Sequence, residues 1–408
     1  MSEEAAPGAP LPLAGIRVLD VGSFIAAPAA ATAMGDWGAD VIKVEPPGTG
    51  DPYRMNWKNP NYPQANVNFP WAMDARNKRS IALDLKHPEG RAALDRLIAT
   101  ADVMIVNFPK PARERLKLDW KEVEPVNPRL IYASLTGYGE TGPEAATPGF
   151  DNNAYFARAG ILEALGYEGG PPGFSLPAQG DRATAMTLLA AIMIGLYRRE
   201  RTGKGGWVGT SLYANGAWSN AALVAGALVG ATRSPAPPRE RPRSALLNPY
   251  RAGDGRWFTV VVAPEARAWP IFCGAIGRPD LLEDPRFAEA GPRRQNAAAL
   301  VAELDRLFAT QDWAHWRARF VAAGVPAAPI NHVSEVVDDE QAEHAGIFLA
   351  TEVPEVPRTV ANPVRLGFAE MRKAGPAPTL GAQSDEILRE AGFDDAGIAA
   401  LRKSGALG

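Results

Sequence analysis

IRVLDVGSFIAAPAAATAMGDWGADVIKVE, residues 16–45, carries the pattern of a strand, a helix and a second strand. IRVLDV (16–21) and DVIKVE (40–45) are short and apolar, which predicts two buried strands. Between them, the small apolar residues of 28–37 predict a helix, with Pro28 in the first turn, where proline is tolerated. This order predicts a βαβ unit, the building block of a parallel sheet.

The same alternation continues to about residue 135. RSIALDL (79–85), DVMIVNF (102–108) and RLIYASL (129–135) predict three more strands, and HPEGRAALDRLIAT (87–100) predicts a helix. Crossover connections place helices on both faces of such a sheet. We therefore predict the α/β fold class, with a Rossmann-like layout.

The glycine signatures of the common nucleotide sites are absent from the sequence. The loop after the first strand reads GSFIAAP, which is not the G-x-G-x-x-G turn that binds NAD or FAD. No G-x-x-x-x-G-K-[ST] motif occurs, and RTGKGG (201–206) follows a helix instead of opening one. These absences argue against a dinucleotide enzyme of the usual kind and against a P-loop kinase or ATPase.

Composition and charge are those of an ordinary globular protein. The chain has 408 residues, 46% of them hydrophobic, and a net charge of −3. That balance favours neither nucleic acid nor a polybasic membrane surface as a partner. The acidic, proline-rich start MSEEAAPGAPLPLAG lacks the pattern of a secretory signal, and no run of 18 apolar residues occurs. We expect a cytoplasmic protein that does not span a membrane.

Metal and thiol chemistry are not expected. The single cysteine, Cys273, lies in the apolar stretch PIFCGAIG and is interpreted as a buried structural thiol. The histidines show no H-x-x-H or H-E-x-x-H spacing, so no zinc site is predicted. They are His87, His315, His332 and His344.

The second half of the chain begins with a long helix pattern. ATAMTLLAAIMIGLYRRE (183–200) is apolar on nearly all sides, which predicts a helix buried in the core. TRSPAPPRERPR (232–243) predicts an exposed linker. The remaining predicted elements are a strand at 255–263, helices at 269–276 and 296–308, a return connection at 325–330 and two short helices from 384 onward.

Two aspartates are candidates for chemistry. Asp181, in PAQGDRATAM, stands at the N-cap or in the first turn of the long helix, and Asp151, in PGFDNNAYFARAG, precedes another predicted helix. Each residue has a purely structural interpretation as a helix cap. Asp181 also has a functional one, because a helix N-terminus favours an ionised carboxylate that can act as a nucleophile on an acyl group. Gly180 would leave room for a bulky thioester.

Several blocks in order resemble the family III CoA-transferases, which include formyl-CoA transferase. The first is LAGIRVLDVGSFIAAPAAATAMGDWGADVIKVEPPGTGD (13–51). The others are NKRSIALDLKHPEGRAAL (77–94), ADVMIVNFPKPARERL (101–116), NPRLIYASLTGYGETGP (127–143), RTGKGGWVGTSLY (201–213) and LGAQSDEILREAGFDDAGIAAL (380–401). The resemblance implies a large Rossmann-like domain at 1–225, to which 330–408 return, and a smaller α/β domain at 226–329. It also implies that two chains interlock as a homodimer.

The resemblance further implies residue roles. The family's nucleophile lies in a Gly-Asp pair that opens an apolar helix, which matches Gly180 and Asp181, and its other acidic position matches Asp151. The substrates would be an acyl-CoA and a small carboxylic acid, with no permanently bound cofactor. CoA contacts are expected at Phe24, Ile25, Ala26, Leu83, Asn107, Phe108, Arg115 and Leu116, with Arg115 suited to phosphate.

Some positions depart from the family's patterns and leave alternatives open. Pro46 stands where formyl-CoA transferase has an arginine, and no tetraglycine loop occurs at 240–265. SFIAAP and GFDNNAYFARAG are similar to the branch that acts on aryl and 2-hydroxy acids. The superfamily also holds α-methylacyl-CoA racemases, which need a histidine where this chain has Phe150, while Glu265 lies near their glutamate position. A racemase and a non-catalytic CoA-binding protein remain the alternatives.

Overall fold

Val18 and Leu19 are neighbours in the first strand, so their side chains point to opposite faces of a sheet. In the computed structural model, which describes residues 10–408, these two side chains enter two different hydrophobic cores. The sheet between those cores is parallel throughout and has six strands in the order β3-β2-β1-β4-β5-β6. The strands are β1 Arg17–Asp20, β2 Asp40–Glu45, β3 Lys78–Ala82, β4 Val103–Val106, β5 Ile131–Thr136 and β6 Gly206–Ser211. The predicted α/β class with a parallel sheet is confirmed.

This strand order reverses direction between β1 and β4, as in Rossmann folds, and such a reversal opens a crevice at the carboxyl ends of the strands. In the register, Leu19 of β1 lies between Ile42 of β2 and Met104 of β4. The loops that follow β1 and β4, starting at Val21 and Asn107, therefore meet at this crevice. The fold thus brings together two of the segments that the sequence predicted as CoA contacts.

The described chain also contains seventeen α-helices, several of which connect these strands. They are α1 Ala26–Asp36, α2 Phe69–Asp74, α3 Pro88–Thr100, α4 Lys110–Leu116, α5 Trp120–Val123, α6 Ile161–Leu165, α7 Gln179–Thr202, α8 Leu212–Ser219, α9 Ala221–Leu228, α10 Glu265–Ile276, α11 Ala290–Gln295, α12 Ala297–Phe308, α13 Trp313–Ala323, α14 Val333–Val336, α15 Glu340–His344, α16 Ser384–Glu390 and α17 Asp395–Lys403. Pro52–Lys58 form a 3₁₀ helix and Asp151–Ala157 a π-helical turn.

Helices cover both faces of the sheet. α1 and α7 pack in the core that contains Val18, and α3 packs in the core that contains Leu19. The two tail helices α16 and α17 also bury Ile387, Leu388 and Ile398 in the Leu19 core. The C-terminal residues thus complete the sheet's second face.

One prediction about the second half is wrong, and one element was missed. Helix α7 is not buried on all sides, since Ile194 and Tyr197 are 69% and 64% exposed. Its buried residues, among them Leu188 and Ile192, form one stripe at helical spacing. Strand β6 was missed, because Gly206 and Gly209 interrupt its apolar pattern.

Contacts divide the described chain into two units, residues 10–162, 174–231 and 343–408, and residues 163–173 and 232–342. The first unit contains the six-stranded sheet and a two-stranded antiparallel pair, β10 Phe348–Ala350 and β11 Arg358–Val360. The domain boundaries and the interlocked dimer that the sequence predicted remain predictions.

The second unit has its own antiparallel sheet of three strands, β7 Leu247–Arg251, β8 Trp257–Val261 and β9 Ala327–Pro329. β9 lies within the stretch predicted as a return connection. The predicted linker at 232–243 is irregular, but it is not free, because Arg239 donates to Asp305 (2.6 Å) and lies over the Tyr250 ring. Cys273 is fully buried in this unit's core, as predicted.

No helix within residues 10–408 is long and apolar enough to cross a membrane. The prediction about the N-terminal segment rests in part on residues 1–9, which lie outside the described residues. The cytoplasmic location remains a prediction.

Candidate active site

A cavity of about 500 Å³ in the larger unit contains both candidate aspartates. The loop after β1, the 3₁₀ segment, the π-helical turn and the start of α7 form its walls. The lining residues are Phe24, Ile25, Asn56, Asn59, Asn61, Tyr62, Phe150, Asp151, Asn152, Phe174, Ser175, Leu176, Pro177, Ala178 and Asp181. The structure thus brings Asp151, Asp181, Phe24 and Ile25 together at one cavity.

Asp181 lies in the first turn of α7 and is not its cap. The N-cap position is Ala178, which has a left-handed φ of 64° and makes no side-chain capping bond. For a residue with a Cβ this conformation costs about 1 to 2 kcal/mol. The purely structural interpretation of Asp181 as a cap is therefore wrong, and its carboxyl group is left facing the cavity.

The environment of Asp181 raises its pKa to about 7. Burial is the main cause, the nearby Asp151 carboxylate adds to it, and the Arg182 guanidinium opposes it. We predicted that the helix N-terminus would keep this carboxyl ionised, but here burial and the second carboxylate outweigh that effect. Near neutral pH the group is therefore divided between its protonated and ionised forms.

Asp151 opens the π-helical turn beside Asp181. π-helical turns are rare and often mark functional sites. Its Oδ2 atom is buried and has no hydrogen-bond partner among residues 10–408. Burial raises the pKa of Asp151, while neighbouring backbone N–H groups, first that of Asn152, act in the opposite direction. Two poorly solvated carboxyl groups thus share one wall of the cavity.

Gly180 sets how closely those two carboxyl groups approach. A Cβ atom at this position would lie 2.6 Å from Cγ of Tyr155 and 2.9 Å from Cβ of Asp151. We predicted that the glycine leaves room for a thioester, but the structure fills that space with Tyr155 and Asp151. The glycine instead allows the start of α7 to pack directly on the π-helical turn.

Arg182 ties the start of α7 to α2. Its guanidinium donates to both carboxylate oxygens of Asp74 at 2.9 Å, and the Tyr53 hydroxyl donates to the same carboxylate at 2.7 Å. Asp74 is only 3% exposed, whereas the Arg182 side chain is 40% exposed, so this bidentate pair is shielded from water on the carboxylate side alone. Sequence reasoning missed this brace, because the two partners are 108 positions apart.

The remaining predicted CoA contacts follow the carboxyl ends of three strands. Arg115 is exposed in the last turn of α4. Phe108 and Leu116 are partly buried and pack against the Leu19 core. Leu83 is 1% exposed, so its side chain belongs to that core. Ala26 begins α1 and is 5% exposed.

Asn107 is fully engaged with the loop after β1. Its Oδ1 accepts from the Ser23 N–H and its Nδ2 donates to the Ser23 carbonyl, both at 2.8 Å. Contacts between CoA and this set of residues remain predictions. The asparagines Asn56, Asn59 and Asn61 and the neighbouring Tyr62 are cavity residues that sequence reasoning missed. The only hint was the turn-rich pattern NPNYP.

The positions that a racemase would use are occupied differently. Phe150 is 58% exposed and packs edge-on against Phe24, with ring centroids 5.8 Å apart. None of the residues that line the cavity is a histidine. Glu265 begins α10 in the smaller unit and is paired with Arg293 and Arg294 at 3.1 and 3.2 Å. The site as described supplies no imidazole for a two-base proton transfer.

Comparison with known proteins gives a consistent result. A family model described as CoA-transferase family III matches residues 13–384. The chain is 31% identical to (R)-2-hydroxy-4-methylpentanoate CoA-transferase of Clostridioides difficile, over 94% of this chain and 96% of that protein. It is 33% identical to succinyl-CoA:glutarate CoA-transferase of Mus musculus, over 97% and 90%.

Among solved structures, a CAIB/BAIF family protein from Brucella suis matches with a TM-score of 0.81 and 29% identity, over 94% of this chain and all of that one. The fold, the paired aspartates in the cavity and the near-complete coverage agree with the resemblance seen in the sequence. The chain therefore belongs to CoA-transferase family III and is an enzyme of the CoA-transferase class.

Proposed function

We propose that Asp181 is the residue through which CoA passes from a donor acyl-CoA to an acceptor acid. The ionised carboxylate attacks the thioester carbonyl and expels CoA thiolate, which leaves a mixed anhydride of Asp181 and the donor acid. The thiolate then attacks the aspartyl carbonyl and expels the donor carboxylate, so that an aspartyl-CoA thioester remains.

The acceptor carboxylate then attacks this thioester and expels the thiolate again, which gives a second anhydride. Attack of the thiolate on the acceptor's acyl carbon forms the new acyl-CoA and restores the Asp181 carboxylate. Every step exchanges one activated acyl bond for another, so the sequence needs no ATP.

The observation that carries this proposal is the state of the Asp181 carboxyl group. It lies in a cavity, caps nothing, and is in surroundings whose burial raises its pKa to about 7. A poorly solvated carboxylate is a stronger nucleophile than one in water, yet with this pKa it is ionised often enough at pH 7 to react. Arg182, braced on Asp74, holds the first turn of α7 in place while the group reacts.

For the acceptor, we propose a 2-hydroxy or aryl monocarboxylic acid. Phe24, Phe150, Phe174 and Leu176 provide an apolar wall, and the cavity's asparagines provide donors for a hydroxyl group. No lysine, arginine or histidine is among the residues that line the cavity, so a second carboxylate would find no positive partner there. The relative from Clostridioides difficile, named for a 2-hydroxy acid, supports this choice, whereas the mouse relative is named for two dicarboxylic acids.

Hydroxylamine trapping tests the covalent step. The protein is mixed with a panel of acyl-CoA donors, quenched with hydroxylamine and digested, and the peptide that contains Asp181 is examined by mass spectrometry. We expect a hydroxamate on Asp181 with productive donors and none in Asp181→Asn. An unmodified peptide with a donor that supports transfer of label between acids would overturn the aspartyl intermediate while leaving the enzyme class intact.

The raised pKa of Asp181 predicts the pH dependence of transfer. Since the nucleophile is the ionised form, kcat/KM should rise about tenfold per pH unit below pH 7 and level off above it. Asp151→Asn removes the like charge that helps to raise this pKa, so the rising part of the pH profile of kcat/KM should move to lower pH. Rates measured from pH 5 to 9 for both proteins check this. If the rising part of the profile stays at the same pH in Asp151→Asn, Asp151 does not influence the pKa of Asp181.

The homodimer implied by the resemblance also belongs to this proposal. Helix α9 buries none of its residues, and its last residue, Leu228, is 83% exposed. Trp218 and Val229 on either side of the helix are 79% and 83% exposed. An apolar surface of this kind is typical of a protein interface.

A further inference from the structure

Phe24 has an unusual backbone conformation for a large residue. Its φ is 59°, in the left-handed region that favours glycine. Strained residues of this kind persist only when their surroundings hold them, and they cluster at functional sites. The Phe24 ring lines the cavity and packs edge-on against Phe150, the residue before Asp151. What holds Phe24 therefore also shapes the reacting site.

Each residue of the loop from Gly22 to Phe24 is held by a separate side chain. The Gly22 carbonyl accepts from Nζ of Lys43 at 2.6 Å, and Ser23 is bonded through both backbone groups to Asn107. The Phe24 N–H donates to Oδ1 of Asp51 at 3.1 Å.

Asp51 and Lys43 form one buried unit beneath this loop. Nζ of Lys43 lies 2.8 Å from Oδ2 of Asp51, and the two residues are 1% and 3% exposed. The second oxygen of Asp51 is thereby left to the backbone, where it accepts from Phe24 and from Tyr53 (2.9 Å). A buried ion pair is weak evidence for stability as such, so a role in fixing a unique conformation accounts better for its presence.

We propose that Asp51, held by Lys43, is a positioning residue that locks Phe24 in its left-handed conformation and so fixes the wall against which the thioester is presented to Asp181. Asp51 lines no part of the cavity and acts only through Phe24. The proposal rests on the proposed function, because its test measures the rate of CoA transfer. It concerns a residue that takes no part in the transfer steps themselves.

A double-mutant cycle tests this. Asp51→Ala should lower kcat/KM about tenfold, since displacement of a reacting wall costs rate steeply. In a Phe24→Gly background, where the ring is gone and the left-handed conformation carries no strain, Asp51→Ala should change kcat/KM less than about twofold. Asp51→Asn keeps one acceptor oxygen but turns its NH₂ group toward either Nζ of Lys43 or the Phe24 N–H, so its loss of kcat/KM should lie between wild type and Asp51→Ala.

Asp36→Asn is the matched control. It breaks another buried pair, in which Arg76 donates to both oxygens of Asp36, and it should lower the melting temperature without a comparable loss of rate. If Asp51→Ala does not fold, Asp51→Ser, whose hydroxyl is too short to reach both Lys43 and the Phe24 N–H, replaces it. Equal effects of the Asp51 change with and without the Phe24 ring would overturn the proposal, as would a loss of rate that merely follows stability.

CoA affinity, measured by calorimetry on the same variants, separates this proposal from the proposed function. A wild-type protein that binds CoA but transfers no label would overturn the transfer mechanism alone. The cycle would then be scored on CoA affinity, where non-additive effects support the role of Asp51 and additive effects overturn it.

Discussion

Asp181→Asn should lower the rate of CoA transfer by about 10⁴-fold or more, because the amide cannot attack a thioester. Removal of a covalent nucleophile has effects of this size in other enzymes. The change keeps the size of the side chain, and the 24-residue helix that carries it should remain intact. The measurement is transfer of isotope from a labelled acid to CoA, at saturating donor.

The same variant should be more stable than wild type at alkaline pH. Asp181 has a folded-state pKa near 7, above its ordinary value of 3.8, so the folded protein binds this proton more tightly than the unfolded chain does. The stability it contributes is complete below about pH 4 and is lost as the pH rises through 7. Asn carries no charge, so the variant should gain about 1 to 2 kcal/mol relative to wild type between pH 5 and pH 8.

Asp395→Asn is the matched control for both measurements. Asp395 also lies in the first turn of a helix, α17, but it is paired with Arg389 on the surface. Its replacement should leave transfer within about twofold of wild type. Transfer by Asp181→Asn at more than about one tenth of the wild-type rate would rule out Asp181 as the nucleophile.

Gly180→Ala should lower kcat/KM about a hundredfold while the protein still folds. The new methyl group would overlap the Tyr155 ring and the Asp151 side chain, so the first turn of α7 must move away from the π-helical turn. Overpacking of this kind typically costs about 1 to 3 kcal/mol. The larger consequence is that Asp181 moves relative to Asp151, and a displacement near 1 Å can cost 10²-fold in rate.

Gly195→Ala in the same helix separates the two effects. A Cβ atom there would lie 2.9 Å from Cγ2 of Ile131 and 3.2 Å from Cγ1 of Val208, so it also overpacks the core. Fifteen residues of helix place it about 22 Å from Gly180. Denaturant unfolding should show a loss of stability for both variants, and kinetics should show a loss of rate for Gly180→Ala alone. Equal losses of rate would mean that Gly180 acts only through the fold.

The parallel sheet was predictable because its strands carry their own signal. DVIKVE, for example, is apolar and β-branched, and it forms β2 over the predicted residues Asp40–Glu45. Strand β6 gave no such signal, since two of its six residues are glycine and its place is fixed by pairing with β5. The sequence pattern therefore predicted the strands that have an apolar, β-branched sequence of their own. It missed β6, which forms because it pairs with β5 in the folded protein.

The candidate site divides in the same way. Asp181 and Asp151 stood out because each opens a helical segment at a glycine-rich turn. The pKa of Asp181 could not be read from the sequence, because it depends on burial and on Asp151, which is 30 positions away in the chain and adjacent in space. The brace from Arg182 to Asp74 and the link from Asp51 to Phe24 are likewise properties of the folded chain.

The location of Cys273 has a practical consequence for assays. It is the single thiol in the sequence, it is fully buried, and burial raises its pKa to about 12. Because the thiolate is the form that attacks disulfide reagents, the native protein should not react with them. In a reaction mixture that holds no other thiol, colour developed by such a reagent reports free CoA alone. Since the proposed transfer hands CoA from one acyl group to the next without releasing it, that colour measures only the CoA lost to hydrolysis.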